Sequence, residues 1–353
     1  MVARDVDASG DLLDRVNAAI AARQPLLISG GGTKAFLGRP VEGQRLDTRM
    51  HRGVVSYDPT ELVITARAGT PLLELQAMVA EHGQMLPFEP PAHGEGATLG
   101  GMVASGLSGP RRPWAGAVRD YVLGTRLITG EGKHVRLGGE VMKNVAGYDV
   151  SRLLAGSFGS LGVLTEVSLK VLPRPRACLS LKMAASAEQA LRTLAEWGQQ
   201  PLPISAACHL QGWLYLRLEG GEGSVTAAHQ RIGGEPLDNA WWEALNEQRL
   251  AFFNDPRPLW RLSLPNNTAP LTLVGEQLLD WGGAQRWVKT AQQHHSIRQV
   301  CAAAGGHATC YTPGVTDLPF EPLAPALLRY HRQLKARFDP HGIFNPGRLY
   351  PEY

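Results

Sequence analysis

The chain has 353 residues, a net charge of +3, 44% hydrophobic residues and 19% charged residues. These values are typical of a globular protein with well-filled cores and exclude an intrinsically disordered chain. The small net charge, without a block of Lys and Arg, gives no reason to expect a nucleic-acid partner or binding to an anionic membrane surface.

Targeting signals and metal-binding patterns are absent from the sequence. Residues 1–10 are polar and acidic, and no apolar run is long enough to span a bilayer. We therefore expect a cytoplasmic protein that meets the inner face of the cell membrane only through partners. Cys178, Cys208, Cys301 and Cys310 form no C-x-x-C pair, so we expect no metal site and reduced, buried thiols.

The first half of the chain predicts alternating helices and strands. Apolar residues at helical spacing over 12–20 predict an amphipathic helix, and residues 25–28 predict a short buried strand. A second strand is predicted over 62–66. Thr70 is then placed to cap a helix that Gly83 should end.

Pro173 and Pro175 mark a predicted domain boundary, and the order of elements changes after it. The pattern predicts a strand, a helix, two strands and a helix, over residues 179–183, 187–197, 204–209, 213–218 and 224–232. This order is most of a split β-α-β unit. Gly282-Gly283, between two apolar runs, predicts a hairpin.

The last predicted helix carries Leu327, His331, Leu334 and Phe338 on one face, and Asp339-Pro340 should stop it. We therefore predict an α+β protein of three parts. A two-subdomain domain covers residues 1–173, a smaller ferredoxin-like α+β cap covers 174–320, and a helix and tail over 321–353 return to the first domain.

Two glycine-rich segments carry the strongest functional signal. The first, Ser29-Gly30-Gly31-Gly32-Thr33-Lys34, follows a predicted strand, and the second runs from Gly96 to Gly106. Gly38 and Pro40 leave no room for the full helix that a Rossmann fingerprint needs. Two interpretations stay open for each segment. It is an ordinary glycine-rich turn, or its bare backbone approaches a flat, polar ligand such as a flavin dinucleotide and binds the pyrophosphate through N–H groups.

Several stretches together resemble the FAD-binding family of vanillyl-alcohol oxidase and p-cresol methylhydroxylase. These stretches are residues 29–34, 57–62, 97–101, 143–149, 156–165 and 338–347. Within that family the resemblance is closest to the flavin subunits of glycolate oxidase (glycolate dehydrogenase). The short length and the run 109–114 are most similar to its E-type subunits.

The resemblance implies roles for matching positions. The first loop (Ser29, Gly30, Gly31, Gly32, Thr33, Lys34) would hold the FAD pyrophosphate, and Thr98, Gly100 and Gly101 would line the ribityl and phosphate region. Gly159, Gly162 and Val163 would pass close to the adenosine, and Asn345 would lie near the flavin ring. The other expected cofactor contacts are Gly96, Ala97, Ser105 and Gly106.

Two departures from the family pattern matter. Many members carry a His in the first glycine loop that bonds covalently to the flavin, whereas this chain has Thr33 and Lys34 there. We therefore expect non-covalent FAD. Related dehydrogenases have Glu and Thr where this chain has Phe158 and Ser160, which removes polar contacts from that loop.

Oxidation of a 2-hydroxy acid needs a base for the hydroxyl proton and a cation for the carboxylate. His307, in a predicted glycine-rich turn, resembles the His of the related catalytic subunits and is the candidate base. The acidic and Asn residues that follow that His in the family are missing here. Arg329 and Arg348 are the candidate carboxylate ligands because they lie near the tail.

Three functional interpretations stay open. The chain oxidises glycolate or D-lactate itself, passing hydride to FAD and electrons onward. Alternatively, it binds FAD in a heteromeric complex whose sister flavin subunit does the chemistry. In both, the electrons go to an iron–sulfur partner subunit or to a quinone, because the cysteines cannot ligate a cluster. The third interpretation is a flavin-free scaffold, which the intact glycine loops disfavour.

Overall fold

The structure is a computed structural model that describes residues 5–139 and 149–353. The chain divides into two compact units. Unit 1 comprises residues 1–108, 117–173 and 322–353, and unit 2 comprises residues 109–116 and 174–321. Both ends of the chain therefore belong to unit 1, and one short excursion from its first half belongs to unit 2.

The described helices and strands follow each other along the whole chain. The helices are α1 (Ser9–Ala22), α2 (Leu72–Glu81), α3 (Leu99–Ser105), α4 (Arg112–Ala115), α5 (Val118–Tyr121), α6 (Ala187–Trp197), α7 (Glu222–Ile232), α8 (Ala240–Asn246), α9 (His294–Ala303) and α10 (Pro325–Phe338). The strands are β1 (Leu26–Ser29), β2 (Gln44–Asp47), β3 (Val54–Asp58), β4 (Val63–Arg67), β5 (Gln84–Met85), β6 (Val122–Ile128), β7 (His134–Gly138), β8 (Val163–Lys170), β9 (Leu172–Pro173), β10 (Ala177–Ala184), β11 (Ile204–Leu210), β12 (Trp213–Gly220), β13 (Glu235–Leu237), β14 (Leu259–Ser263), β15 (Glu276–Asp280), β16 (Gln285–Lys289) and β17 (His307–Cys310).

Unit 1 contains two subdomains with separate cores. Strands β3-β4-β8-β6-β7 form an antiparallel sheet, and apolar residues of α2 and α3 share its core. Strands β1 and β2 form a parallel pair, against which α1 buries Leu12 and Val16. Ile343 and Phe344 of the tail complete this second core. This part of the tail therefore packs beside β1, which lies near the start of the chain.

Unit 2 is an eight-stranded sheet built from two split β-α-β units. The first has spatial order β13-β10-β12-β11 and carries α6 and α7, as the sequence predicted. The second has order β15-β16-β14-β17 and carries α9, with no helix between β14 and β15. Strands β11 and β15 join the two halves edge to edge. The structure confirms the hairpin at Gly282-Gly283, which links β15 to β16.

Three local predictions were wrong. Thr70 does not cap α2, because its hydroxyl instead exchanges hydrogen bonds with the backbone of Gly53 at 3.0 and 3.1 Å. Leu327 is 52% exposed on α10, whereas the buried residue of that helix is Lys335. Cys178 is exposed, although the other three cysteines are buried and all four are free thiols.

Candidate cofactor-binding site

A cleft in unit 1 brings together the glycine-rich segments, α3 and the tail. Its lining residues are Leu27, Ile28, Ser29, Gly30, Gly31, Gly32, Thr33, Lys34, Ala35, Thr48, Ala68, Ala97, Thr98, Gly100, Gly101, Ala104, Ser105, Phe158, Gly159, Gly162, Leu164, Asn345 and Arg348. Most of these side chains are small or absent, so backbone forms much of the cleft wall. Such a wall suits a large, flat ligand.

The first glycine loop presents a run of free backbone amides. Within residues 5–139 and 149–353, the N–H groups of Gly30, Gly31, Gly32 and Thr33 donate no hydrogen bond. Buried backbone N–H groups nearly always have a partner. Four consecutive free donors at a cleft wall are suited to an anion such as a phosphate.

The loop keeps this shape because it packs tightly against the second glycine segment. A Cβ atom at Gly31 would lie 1.5 Å from the carbonyl oxygen of Gly96, and one at Gly30 would lie 2.3 Å from Oγ1 of Thr98. Any side chain at either position would push the two segments apart. Gly32 differs, since its φ is +72° and its Cβ direction is open.

The second glycine segment is a helix rather than the loop that the sequence predicted. Thr98 caps α3, and its side chain accepts a hydrogen bond from the N–H of Gly101 at 3.3 Å. Gly100 is packed inward, where a Cβ would lie 2.8 Å from that of Ala68. A Cβ at Gly101 would meet only Oγ1 of Thr98, at 3.2 Å. Gly101 thus forms a bare part of the cleft wall.

Among the described residues, two cationic side chains line the cleft, and both already bond to backbone carbonyls. The Nζ atom of Lys34 donates to the carbonyl of Ala92 at 3.0 Å, beside a bond from Thr33 to the same oxygen at 2.7 Å. The guanidinium of Arg348 donates to the carbonyls of Arg39 at 2.7 Å and Leu37 at 2.6 Å. Arg348 therefore holds the segment after the glycine loop in place, and burial lowers its pKa.

Asn345 fixes the floor of the cleft. Its side chain accepts from the N–H of Ile28 and donates to the carbonyl of Phe158, both at 2.7 Å. This bridge ties β1 to the segment before β8. Gly159 must lack a side chain there, because a Cβ would lie 2.7 Å from the Asn345 amide nitrogen.

A buried ion pair holds the tail that carries Asn345. The Nζ atom of Lys335 lies 2.7 Å from each of three acceptors, which are Asp339 and the carbonyls of Ser160 and Phe344. Asp339 in turn accepts from the N–H groups of Ile343 and Phe344 at 3.1 and 2.8 Å. Burial lowers the pKa of Lys335, and the charge of Asp339 opposes that shift.

The structure gathers most of the expected cofactor contacts in this cleft and leaves three of them out. Gly96 packs behind Gly31, Gly106 ends α3 in a left-handed conformation, and Val163 is fully buried in the core. The stretch 143–148 lies outside the described residues. The sequence missed the apolar lining, chiefly Leu27, Ala68 and Leu164, because such residues resemble ordinary core positions.

The three candidate catalytic residues do not meet in this cleft. His307 belongs to unit 2 and begins strand β17, opposite Ser263, rather than lying in a turn. Arg329 is exposed on α10, where its nearest ring is that of Tyr330. Of the three, only Arg348 lines the cleft, and backbone carbonyls occupy its guanidinium.

The bare walls, the nest of amides and the α+β subdomains define the class of this protein. A family described as FAD binding domain matches residues 6–138. The fold is similar to that of an alkyldihydroxyacetonephosphate synthase, with a TM-score of 0.67 at 17% identity over 96% of this chain and 74% of that one. Residues 6–138 are therefore an FAD-binding domain, so the protein is a flavoprotein whose cofactor is FAD.

Sequence comparison narrows the class further. The glycolate oxidase subunit GlcE of Escherichia coli (strain K12) is 59% identical over 99% of this chain and 99% of its own. The glycolate oxidase subunit GlcD of Bacillus subtilis (strain 168) is 34% identical, over 43% of this chain and 33% of its own. The chain belongs to the GlcE family of flavin-dependent oxidoreductase subunits. The names of both relatives describe parts of a multi-subunit enzyme.

The cleft fits non-covalent FAD. Backbone donors and Lys34 suit the two phosphates, and the bare wall at Gly101 allows close approach of a ring or chain. Within residues 5–139 and 149–353, the lining includes no His, Cys or Tyr that could bond to a flavin. In the described part of the chain, no helix is long and apolar enough to cross a membrane.

Proposed function

We propose that this chain is the FAD-binding subunit of a heteromeric complex that oxidises glycolate or a related 2-hydroxy acid. The observation that carries the proposal is the 59% identity to a glycolate oxidase subunit, which extends over 99% of both chains. Identity of that extent covers both units and not only the flavin cleft. Bound FAD supplies a two-electron acceptor for the alcohol.

The residues of unit 1 would hold this cofactor in a fixed position. The amides of Gly30 to Thr33 would bind the pyrophosphate, and Lys34 would add positive charge beside it. Asn345 would keep the strand end and the 158–159 segment at a constant separation. None of these groups transfers a proton, so their task is binding and orientation.

A second candidate assigns the chemistry to a sister flavin subunit similar to GlcD. The observation that favours it is the chemistry of the cleft, since the lining residues that the structure describes include no His, Asp or Glu. Alcohol oxidation needs a proton acceptor within hydrogen-bond reach of the hydroxyl. Under this candidate the chain binds FAD and passes electrons, and the sister subunit removes the substrate proton.

The electrons must leave the protein in either case. The four cysteines are separate free thiols, and burial raises the pKa of Cys301 to about 11. A cluster ligand must be a thiolate, which burial of this kind disfavours. We propose an iron–sulfur partner subunit or a quinone as the next carrier. Contact with the membrane would come through that partner.

One experiment tests the proposal and separates its two forms. The purified chain is examined for flavin absorption and for glycolate-dependent reduction of a dye, first alone and then with the sister and iron–sulfur subunits. A yellow chain that turns over alone supports the first form. A yellow chain that is active only in the complex supports the second. A folded, colourless chain that does not bind added FAD would refute both.

His307 is tested in the same assay. We expect His307→Ala to slow dye reduction by the assembled complex while the flavin content stays at the wild-type value. An unchanged rate would remove His307 from the proposed chemistry.

A further inference from the structure

In the second split β-α-β unit, helix α9 covers one face of the sheet, and the opposite face carries charged, polar and aromatic side chains. Trp260 and Leu262 of β14 pack with Ile297 and Cys301 of α9 in one core. Because successive side chains of a strand alternate, Arg261 and Ser263 lie on the opposite face. The core residues Ala308, Cys310 and Val288 likewise place His307, Thr309 and Trp287 on that opposite face.

Arg261 occupies the middle of this face. It is half-buried, it lies opposite Trp287 on one neighbouring strand and Thr309 on the other, and its Nε atom is buried without a hydrogen-bond partner. Among residues 5–139 and 149–353, its guanidinium makes no hydrogen bond and no ion pair. It lies over the Tyr311 ring, whose centroid is 5.4 Å from the guanidinium carbon.

Other buried cations of unit 2 have acceptors for their guanidinium groups, which makes the unpartnered guanidinium of Arg261 unusual. The guanidinium of Arg286 donates to three backbone carbonyls, including that of Ala269 at 2.8 Å. Arg111 donates a hydrogen bond of 2.9 Å to Glu219 and forms an ion pair with it at 2.6 Å. Arg298 binds backbone carbonyls and lies 3.5 Å from Glu321. The described residues thus supply at least one acceptor for each of these guanidinium groups, although Nε of Arg111 and of Arg298 is also unpartnered, and none for that of Arg261.

The surroundings of Arg261 are suited to a small polar ligand. Trp287 and Tyr311 pack edge to face with centroids 4.8 Å apart, and both are buried. His307 is the next residue along β17 on the same face, and it is only partly buried at the start of the strand. The face therefore combines a rigid, buried aromatic pair, a guanidinium without an acceptor among the described residues and a partly exposed imidazole.

The charges around His307 favour a neutral ring. Burial of the ring and then the positive charge of Arg261 lower the pKa of His307, whereas Glu321 acts weakly in the opposite direction. Glu321 is itself engaged with Arg298 and with the N–H of Ala308. A neutral imidazole can accept a proton or a hydrogen bond from a ligand hydroxyl.

We propose that Arg261 binds the carboxylate of a small organic acid on this face of unit 2, with His307 and Thr309 beside the bound acid. A guanidinium matches two carboxylate oxygens in a planar, two-bond arrangement. The identification of the acid as a 2-hydroxy acid or its 2-oxo product rests on the proposed function. The presence of a carboxylate site rests only on the unpartnered, half-buried guanidinium.

Binding to the full-length chain tests this site without flavin or turnover. FAD is first removed, and tryptophan fluorescence, to which Trp287 contributes, is followed during titration with sodium glycolate at constant ionic strength. We expect Arg261→Gln to weaken glycolate binding at least about tenfold, the loss of a charge-assisted bond. Arg261→Lys should be intermediate because it keeps the charge and loses the fork.

The matched control is Arg249→Gln, which removes an exposed arginine of the same unit whose ion pair with Glu243 is on the surface. It should bind glycolate as the wild type does. Equal affinity of Arg261→Gln and wild type would overturn the proposal. If Arg261→Gln fails to fold, binding to the wild-type chain alone tests the proposal. The wild type must bind glycolate at least about tenfold more tightly than the neutral amide glycolamide, and equal affinities would overturn the proposal.

The two proposals fail in different ways. A chain that binds no FAD, or that never oxidises glycolate, would refute the proposed function and leave the Arg261-dependent affinity unchanged. A fully active complex whose Arg261→Gln chain binds glycolate normally would refute the carboxylate site alone.

Discussion

Replacement of Gly101 by Val tests whether bare backbone in α3 exists for the cofactor. A Cβ at this position meets only Oγ1 of Thr98, at 3.2 Å, so the Thr98 side chain must shift by a few tenths of an ångström and no backbone atom obstructs the new side chain. Valine is also no worse than glycine inside a helix. The isopropyl group would instead project into the cleft and displace a ligand that lies against the helix. We therefore expect Gly101→Val to lose FAD and keep its fold.

The size of the effect follows from linkage. A displacement that breaks two charge-assisted hydrogen bonds costs about 3 kcal/mol, or roughly a hundredfold in Kd. FAD at a hundred times the wild-type Kd stabilises the folded state by about 2.7 kcal/mol. For a unit of roughly 200 residues this raises Tm by about 5–11 °C. The variant at the same concentration would gain only about 0.4 kcal/mol, or about 1 °C.

The assay is thermal unfolding with and without added FAD, together with the flavin-to-protein absorbance ratio after purification. Gly100→Val is the contrasting variant, because its Cβ would lie 2.8 Å from the Ala68 Cβ and the helix would be forced outward. It should lower Tm even without FAD. A Gly101→Val chain with wild-type flavin content and the full FAD-induced rise in Tm would refute the assignment of this wall to the cofactor.

Two further predictions concern stability. Lys335→Met should lower the free energy of unfolding of unit 1 by about 3–5 kcal/mol in chemical denaturation, because it leaves Asp339 buried without its counter-charge. Lys133→Met, which breaks an exposed pair with Glu131, should cost less than about 1 kcal/mol, and equal losses would contradict the argument. Burial lowers the pKa of His51 and His134 below the usual 6.5, so the unfolded chain binds more protons just below that pH. The Tm of unit 1 should therefore fall as the pH drops below 6.5. His51→Gln should reduce the slope of Tm against pH. A slope as steep as that of the wild type would exclude His51 as a cause.

Hydrophobic periodicity predicted fewer than half of the described helices and strands, but it placed those few well. In unit 2 the alternating strands and amphipathic helices of the first split β-α-β unit lie within a few residues of their predicted positions. The second copy was recognised only at its hairpin, since no helix links β14 to β15 and the repeat is incomplete. Periodicity also placed Leu327 on the buried face of α10. Periodicity could not show that α10 packs against the core of unit 1 only near its C-terminal end.

The glycine segments were predicted as cofactor contacts but not as particular shapes. Glycine has a low helix propensity, so a helix that begins at Leu99 and contains Gly100 and Gly101 runs against local preference. It forms because Thr98 caps it and because Gly100 fits closely on Ala68. Such a contact joins residues 32 positions apart, and no local pattern reports it.

Charged residues were the hardest to interpret from the sequence. Lys335 and Asp339 have the spacing of an ordinary surface pair, yet they form the buried anchor of the tail. Arg348 was expected to bind substrate and instead bonds to backbone carbonyls. Arg261 gave no signal at all, because an unpartnered cation is recognised only when its neighbours in space are known.

The bond between Asn345 and Ile28 joins residues 317 positions apart, and it has a consequence for biosynthesis. The segment that carries Asn345 must leave the ribosome before its amide can bond to the N–H of Ile28, so unit 1 stays unfinished while all of unit 2 is translated. At 5–20 residues per second this delay is on the order of ten seconds or more. Nascent chains should therefore remain colourless, and cofactor loading should be a post-translational event that a prematurely terminated product never reaches.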